Sequence, residues 1–209
     1  MGDVKRAVIF SGAPVSLPLQ PPVPDAQLYI CADAGLRLAQ SLQIKPDWIV
    51  GDFDSFGAVP TGNNVMAVSP NKDDTDTILA AKYALSHDCT ELIFYGALGG
   101  RLDHTIANIQ MLRMIHTAGG QGVLVDAHHW VTLHYPGSIQ YQKYGTYFSV
   151  FAMTPQCEGV TLEGVQYPLN HGILHNDFPL GVSNQVLGDQ VTVTLEKGEL
   201  LLIFSSDET

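Results

Sequence analysis

Four short stretches concentrate the side chains that could carry a reaction. Gly51-Asp52-Phe53-Asp54-Ser55 places two carboxylates one residue apart at the end of an apolar run, Trp48-Ile49-Val50. Successive residues of an extended chain point to opposite faces. If the strand continues, Asp52 and Asp54 project together and Phe53 enters the core. Like charges this close repel, and a cation between them is a common resolution; an acidic turn with Asp54 or Ser55 capping the next element is the plainer alternative. The second stretch, Lys72-Asp73-Asp74-Thr75-Asp76-Thr77, sets three carboxylates, an amine and two hydroxyls ahead of a helix marked by Ile78, Leu79, Ala81 and Leu85. Favourable charge at a helix N-terminus accounts for one or two of these aspartates, but not for three beside Lys72.

The third stretch is Gly96-Ala97-Leu98-Gly99-Gly100-Arg101-Leu102-Asp103-His104. Gly99 and Gly100 let the backbone approach a ligand closely and offer amide donors to phosphate, and Arg101 adds a planar fork for phosphate oxygens. The spacing fits neither the P-loop nor the dinucleotide fingerprint. It reads as a phosphate site of another design, or as a glycine turn capped by Asp103. The fourth candidate is Asp33, at a strand-to-helix junction in Ala32-Asp33-Ala34-Gly35. It could contact a ribose or a metal, or cap the helix, and the cap is the favoured reading.

These residues need elements to hold them. Apolar runs at 7–10, 28–32, 48–50, 65–68, 91–95 and 123–125 read as buried strands, and Leu36, Leu38, Ala39 and Leu42 repeat with helical spacing, as do Ile106, Ile109, Leu112 and Ile115. Alternating strands and helices predict an α/β domain with a mostly parallel, Rossmann-like sheet in three layers, whose ligands lie at the carboxyl ends of the strands. Five prolines between Pro14 and Pro24 make that segment a loop. Beyond Trp130 helical spacing fades, and short β-rich runs at 131–135, 147–152, 159–162, 191–195 and 200–204 predict an all-β sandwich or jelly-roll-like domain. The expected division is residues 1–130 and 131–209. His171 and His175 stand four apart, but Pro168 and Gly172 argue against the helix that would make them a metal pair.

Acidic residues outnumber basic ones 21 to 10 in a chain of 209, for a formal net charge of −11. Such a field disfavours nucleic acid and anionic membranes. No run approaches the roughly 18 apolar residues of a spanning helix, and no signal peptide is expected. Cys31, Cys89 and Cys157 are odd in number and sit in apolar surroundings, the usage of reduced core thiols in a cytoplasmic protein.

In this order, Ala32-Asp33-x-Gly35, Gly51-Asp52-Phe53-Asp54-Ser55, Lys72-Asp73-x-Thr75-Asp76-Thr77 and Gly99-Gly100-Arg101-x-Asp103-His104 resemble the motifs of thiamin pyrophosphokinases, and Tyr167-Pro168-Leu169 and Ser183-Asn184 resemble the second domain of their bacterial branch. Ala34 stands where the family more often has glycine. The resemblance implies transfer of pyrophosphate from ATP to thiamin, with ATP and Mg2+ handled by the α/β domain. It implies thiamin binding and dimerisation through the β domain, in a homodimer with active sites at the subunit junction. Magnesium prefers carboxylates together with phosphate oxygens, so Asp52, Asp54 and Asp76 are assigned to the metal, with Asp33 and Asp103 as further acidic members. Asp33, Lys72, Thr75, Gly99, Gly100 and Arg101 are assigned to ATP, and Ser183 and Asn184 to the thiamin pyrimidine. Asp76 and Asp103 are the candidates for taking the thiamin hydroxyl proton.

Two rivals keep a place on the same residues. Asp52-x-Asp54-Ser55 after an apolar strand also suits an aspartyl-nucleophile phosphatase. A non-catalytic thiamin or nucleotide sensor could share the fold, but would have little use for so many metal-type carboxylates.

Overall fold

Strands that are apolar on both faces have to be covered on both faces, and the first half of the chain meets that demand. Ala7, Val8, Ile9 and Phe10 are fully buried in strand β1 (Arg6–Phe10). The computed structural model describes residues 4–53, 62, 64–67 and 73–207. Contacts divide the chain into two units, Met1–Ala127 and His128–Thr209.

In the first unit β1 is followed by β2 (Leu28–Ala32), α1 (Gly35–Ser41), β3 (Trp48–Gly51), β4 (Val65–Ala67), α2 (Asp76–Ser86), β5 (Glu91–Tyr95), α3 (Leu102–Thr117) and β6 (Gln121–Val125). The strands lie in the order β6-β5-β1-β2-β3-β4, and every pairing is parallel. From β1 the chain steps outward through β2, β3 and β4. It then returns through α2 to add β5 on the other side of β1, so the order reverses between β1 and β5. The proline-rich segment is the loop expected, tied to the sheet where the Tyr95 hydroxyl donates to the carbonyls of Pro21 and Pro22. No helix among the described residues is long and apolar enough to cross a membrane.

One expectation about β3 needs correcting. The strand stops at Gly51, and Phe53 takes a left-handed φ of +58°. Phe53 is buried as expected, but strand alternation does not set the direction of Asp52. Asp54 and Lys72 lie outside the described residues.

The second unit contains β7 (His129–His134), β8 (Gly137–Gln142), β9 (Tyr147–Ala152), β10 (Gln156–Glu163), β11 (Leu169–His175), β12 (Gly181–Gln185), β13 (Gln190–Leu195) and β14 (Leu200–Ser205). Within this unit the strands pair as β12-β9-β14-β7 and as β11-β10-β13-β8, antiparallel throughout. Side chains such as Phe148, Val160, Val193, Leu202 and Phe204 fill one buried cluster, giving an antiparallel β sandwich. Three of its strands, β8, β11 and β12, were not anticipated. Their side chains are mostly exposed and polar, so their sequences lack the apolar alternation of a half-buried strand. The Ser183-Asn184 pair lies on one of them, β12. His171 lies on β11, and its Nδ1 stands 3.3 Å from a Glu196 carboxylate oxygen.

Candidate active site

In an open parallel sheet a crevice forms where the strand order reverses, because the chain leaves neighbouring strand ends in opposite directions. Here that point is held by two backbone bonds, Ser11 N–H to Tyr95 O and Ala13 N–H to Gly96 O, both 2.8 Å. A cavity of about 590 Å3 opens there. It is lined by residues 11–14 after β1, Asp33 after β2, Asp52 after β3, residues 74–77 at the start of α2, and Gly99, Gly100 and Arg101 after β5. Residues from all four stretches read from the sequence thus line one cavity.

The acidic side is drawn together by close backbone approach. A Cβ on Gly51 would sit 3.1 Å from Asp33 Cα, a tight contact, so glycine eases the approach of the tip of β3 to the end of β2, where Asp52 and Asp33 border one cavity. Asp33 itself has a left-handed φ of +42° and its amide donates to Val50 O at 2.8 Å. The helix-cap reading of Asp33 is corrected, because Ala34 occupies the N-cap of α1. Asp76 is the first residue of α2, and Thr75 caps that helix by accepting from the Ile78 amide at 3.3 Å. Asp74 is held 2.6 Å from Lys82 and is accounted for by that ion pair. Among the described residues no three acidic, histidine or cysteine side chains form a ready-made metal cluster.

The opposite side is basic and amide-rich. Gly99 and Gly100 adopt φ of +78° and +63°, a region open to glycine at no steric cost. Among the described residues their amides meet no backbone acceptor. Arg101, the N-cap of α3, turns its fork onto Asp103, with Nη2 2.5 Å from Oδ2 and Nε 3.1 Å from Oδ1. That hydrogen bonding holds the Asp103 carboxyl down at about 2 and raises the guanidinium pKa. Asp103 therefore lies within the first turn of α3 as the partner of Arg101, and not at its cap.

Ser183 and Asn184 both lie on β12, in different surroundings. Asn184 is buried, and its Oδ1 accepts from the amides of Tyr167 (3.0 Å) and Gln185 (2.9 Å) while its Nδ2 donates to Tyr167 O (2.8 Å). The side chain is a clamp between β12 and the Tyr167 segment. It also lines an apolar cavity of about 330 Å3 with Val150, Leu162, Tyr167 and Leu174. Ser183 is exposed at φ +59°, and its amide donates to Ser149 Oγ at 3.0 Å.

Two cavity residues escaped sequence reasoning. Ser11, nearly fully buried, receives a hydrogen bond from Thr77 Oγ1 at 3.1 Å, linking the end of β1 to α2. Asn108, also buried, donates from Nδ2 to Ala97 O at 2.7 Å. The available signal was an amide at helical spacing from apolar residues, three and four positions before Met111 and Leu112. The buried face of α3 runs through Asn108, Met111, Leu112 and Ile115, whereas Ile106 is half exposed.

Comparison with known proteins agrees over both units. Residues 20–121 match the family described as thiamin pyrophosphokinase, catalytic domain, and residues 132–200 match thiamin pyrophosphokinase, vitamin B1 binding domain. The chain is 29% identical over 222 residues to thiamine pyrophosphokinase of Bacillus subtilis (strain 168), covering 98% of this chain and 100% of that protein. The crystal structure of the Bacillus subtilis thiamine pyrophosphokinase superposes with a TM-score of 0.87 at 27% identity, covering 98% and 100% of the two chains. That of thiamin pyrophosphokinase from Geobacillus thermodenitrificans gives 0.82 at 25%, covering 98% and 99%. These matches favour neither a phosphatase nor a non-catalytic sensor. With both of its units matched, the chain belongs to the thiamin pyrophosphokinase family.

Proposed function

We propose that this protein transfers the pyrophosphoryl group of ATP to the hydroxyl of thiamin, producing thiamin diphosphate and AMP. The observation that carries the reading is the cavity between β1 and β5, with carboxylates on one side and the Gly99-Gly100-Arg101 turn on the other. The reaction is attack by an alcohol on the β-phosphorus of ATP with AMP as leaving group, so the protein must position a weak nucleophile and balance a triphosphate's charge. The Gly99 and Gly100 amides and the Arg101 fork, with Lys72, hold phosphate oxygens as charge builds. Thr75 fixes the start of α2 and so the placement of Asp76. Asp33 borders the same space.

A set of aspartate oxygens suits a hard cation, and Asp52, Asp54 and Asp76 would hold Mg2+. When bound, Mg2+ offsets phosphate charge. Arg101 and Asp103 act as a coupled pair. As the fork turns to phosphate, Asp103 loses the contact that holds its carboxyl near 2 and becomes the better proton acceptor.

The first unit is read as a three-layer Rossmann-like domain handling ATP and Mg2+, spanning about residues 1–130, and residues 131–209 as the domain for thiamin and dimerisation. Ser183 and the wall built by Asn184 are assigned to thiamin. Tyr167, Phe178, Leu180 and Leu187 are exposed apolar side chains of the kind a homodimer would bury. Buried free thiols at Cys31, Cys89 and Cys157 suit the cytoplasm, and the net charge of −11 attracts a cationic thiazolium.

The deciding experiment incubates the protein with ATP, Mg2+ and thiamin and measures AMP. Thiamin-dependent AMP release is expected, and Asp52→Asn should abolish it while leaving the fold intact. Phosphate release without thiamin, or tight thiamin binding without turnover, would refute the proposal.

A further inference from the structure

We propose that Asn108 is a positioning residue for ATP, holding the turn between β5 and α3 in its phosphate-binding shape through the Ala97 carbonyl. The inference rests on the reading of Gly99-Gly100-Arg101 as the phosphate site.

Three successive carbonyls lead into that turn, and each has a different holder. Tyr95 O is taken by the Ser11 amide and Gly96 O by the Ala13 amide, both at 2.8 Å. Ala97 O lies beyond the reach of the β1 backbone and is taken by the Asn108 side chain at 2.7 Å. A peptide unit is planar, with its C=O and N–H directed oppositely. Fixing Ala97 O therefore fixes the plane from which Leu98, Gly99 and Gly100 depart. The two glycines have broad intrinsic freedom, so the shape of the turn depends on its anchors. Downstream the chain is anchored where α3 begins, with Thr105 N–H donating to Arg101 O at 3.2 Å. Within the turn Thr105 Oγ1 reaches Gly99 O only at a long 3.4 Å, and ahead of the two glycines the side-chain anchor is Asn108.

The residue type supports the same conclusion. Position 108 is 7% exposed and shares its face with Met111, Leu112 and Ile115, surroundings that favour an aliphatic side chain. Burying an amide at such a place is unfavourable unless it is hydrogen-bonded. Among the described residues its side chain bonds the turn and no other element. Asn108 also borders the cavity itself, so its anchor and the ligand space are contiguous.

The test compares wild type, Asn108→Leu and Asn108→Asp. Each is assayed for AMP formation with ATP and thiamin varied separately at pH 8 and pH 6, and each is titrated with the nonhydrolysable ATP analogue AMP-PNP by calorimetry. Loss of one such bond should raise the KM for ATP about three- to tenfold, with the KM for thiamin moved less than twofold. Asn108→Asp carries the diagnostic outcome. As a carboxylate it repels Ala97 O, but once protonated its O–H donates as the amide did, and burial raises its pKa toward the assay range. Its KM for ATP should therefore fall toward the wild-type value between pH 8 and pH 6, while Asn108→Leu shows no such recovery. This arm also serves if the leucine variant fails to fold. Variants with an ATP KM within twofold of wild type at both pH values, or an aspartate variant with no recovery, would overturn the proposal. A wild type that neither binds AMP-PNP nor makes AMP would instead overturn the functional reading on which it rests.

Discussion

Replacing Asn184 by alanine should destabilise the second unit, and replacing its neighbour Ser183 should not. The Asn184 amide satisfies three backbone groups, the amides of Tyr167 and Gln185 and the Tyr167 carbonyl, at 2.8 to 3.0 Å. Each bond is worth about 0.5–1.5 kcal/mol net. Because Tyr167 is largely exposed, water can reach part of what alanine would leave open, which places the expected loss at about 2–3 kcal/mol. Ser183→Ala keeps the backbone bond to Ser149 Oγ and removes an exposed hydroxyl, so its effect should stay within about 0.5 kcal/mol. Urea unfolding followed by far-ultraviolet circular dichroism measures both, and a lower midpoint at unchanged slope identifies a stability change. An Asn184→Ala loss below about 1 kcal/mol, or an equal loss in the two variants, would refute the clamp.

Other outcomes follow from close contacts and charge. A Cβ on Gly35 would fall 1.9 Å from Phe10 O and 2.4 Å from Phe10 C, against backbone that cannot rotate away. Gly35→Ala should cost about 3 kcal/mol or more, and a thermal midpoint within about 2 °C of wild type would contradict the packing. Asp103 should titrate near 2 in an NMR pH series because Arg101 hydrogen-bonds its carboxylate, and Arg101→Ala should raise the midpoint toward the ordinary value of about 4. The sign follows from the depressed pKa. The pair's contribution to the folded state is complete above about pH 4 and is lost as pH falls through about 2. Both side chains are exposed, so added salt should shrink the difference. A midpoint unmoved by Arg101→Ala would rule the pairing out in solution.

The parallel strands were legible because burial on both faces leaves an unbroken apolar run. The runs at 28–32 and 91–95 coincide with β2 and β5. By contrast, β8, β11 and β12 are held chiefly by pairing with β13, β10 and β9. Backbone bonds of that kind leave no side-chain pattern to read. The cavity residues at strand ends could be anticipated from their place after apolar runs, and Asp33, Asp52, Asp76 and Arg101 do line one space. Their local roles could not. The left-handed turn at Asp33 accompanies a bond to Val50, and Asn184 finds its partner 17 residues upstream. Asn108 fell outside the stripe inferred for α3 because Ile106, counted as its first apolar member, faces outward.

The central place of β1 bears on the order in which the protein can be made. One neighbour, β2, begins near the partner of a bond spanning 21 residues, whereas the Arg6–Glu91 pairing with β5 spans 85. A fourfold longer loop costs about 1.2 kcal/mol more to close, and on a ribosome it also has to wait for the later sequence to emerge. Until then one edge of β1, with its four apolar residues, has no strand beside it, an exposure that invites association with other chains. The bonds from Ser11 and Ala13 to Tyr95 and Gly96 cannot form before that pairing is in reach. The crevice thus comes into being with the most distant strand pairing of its sheet, and a ligand that grips it would hold the two halves of the sheet at the seam that closes last.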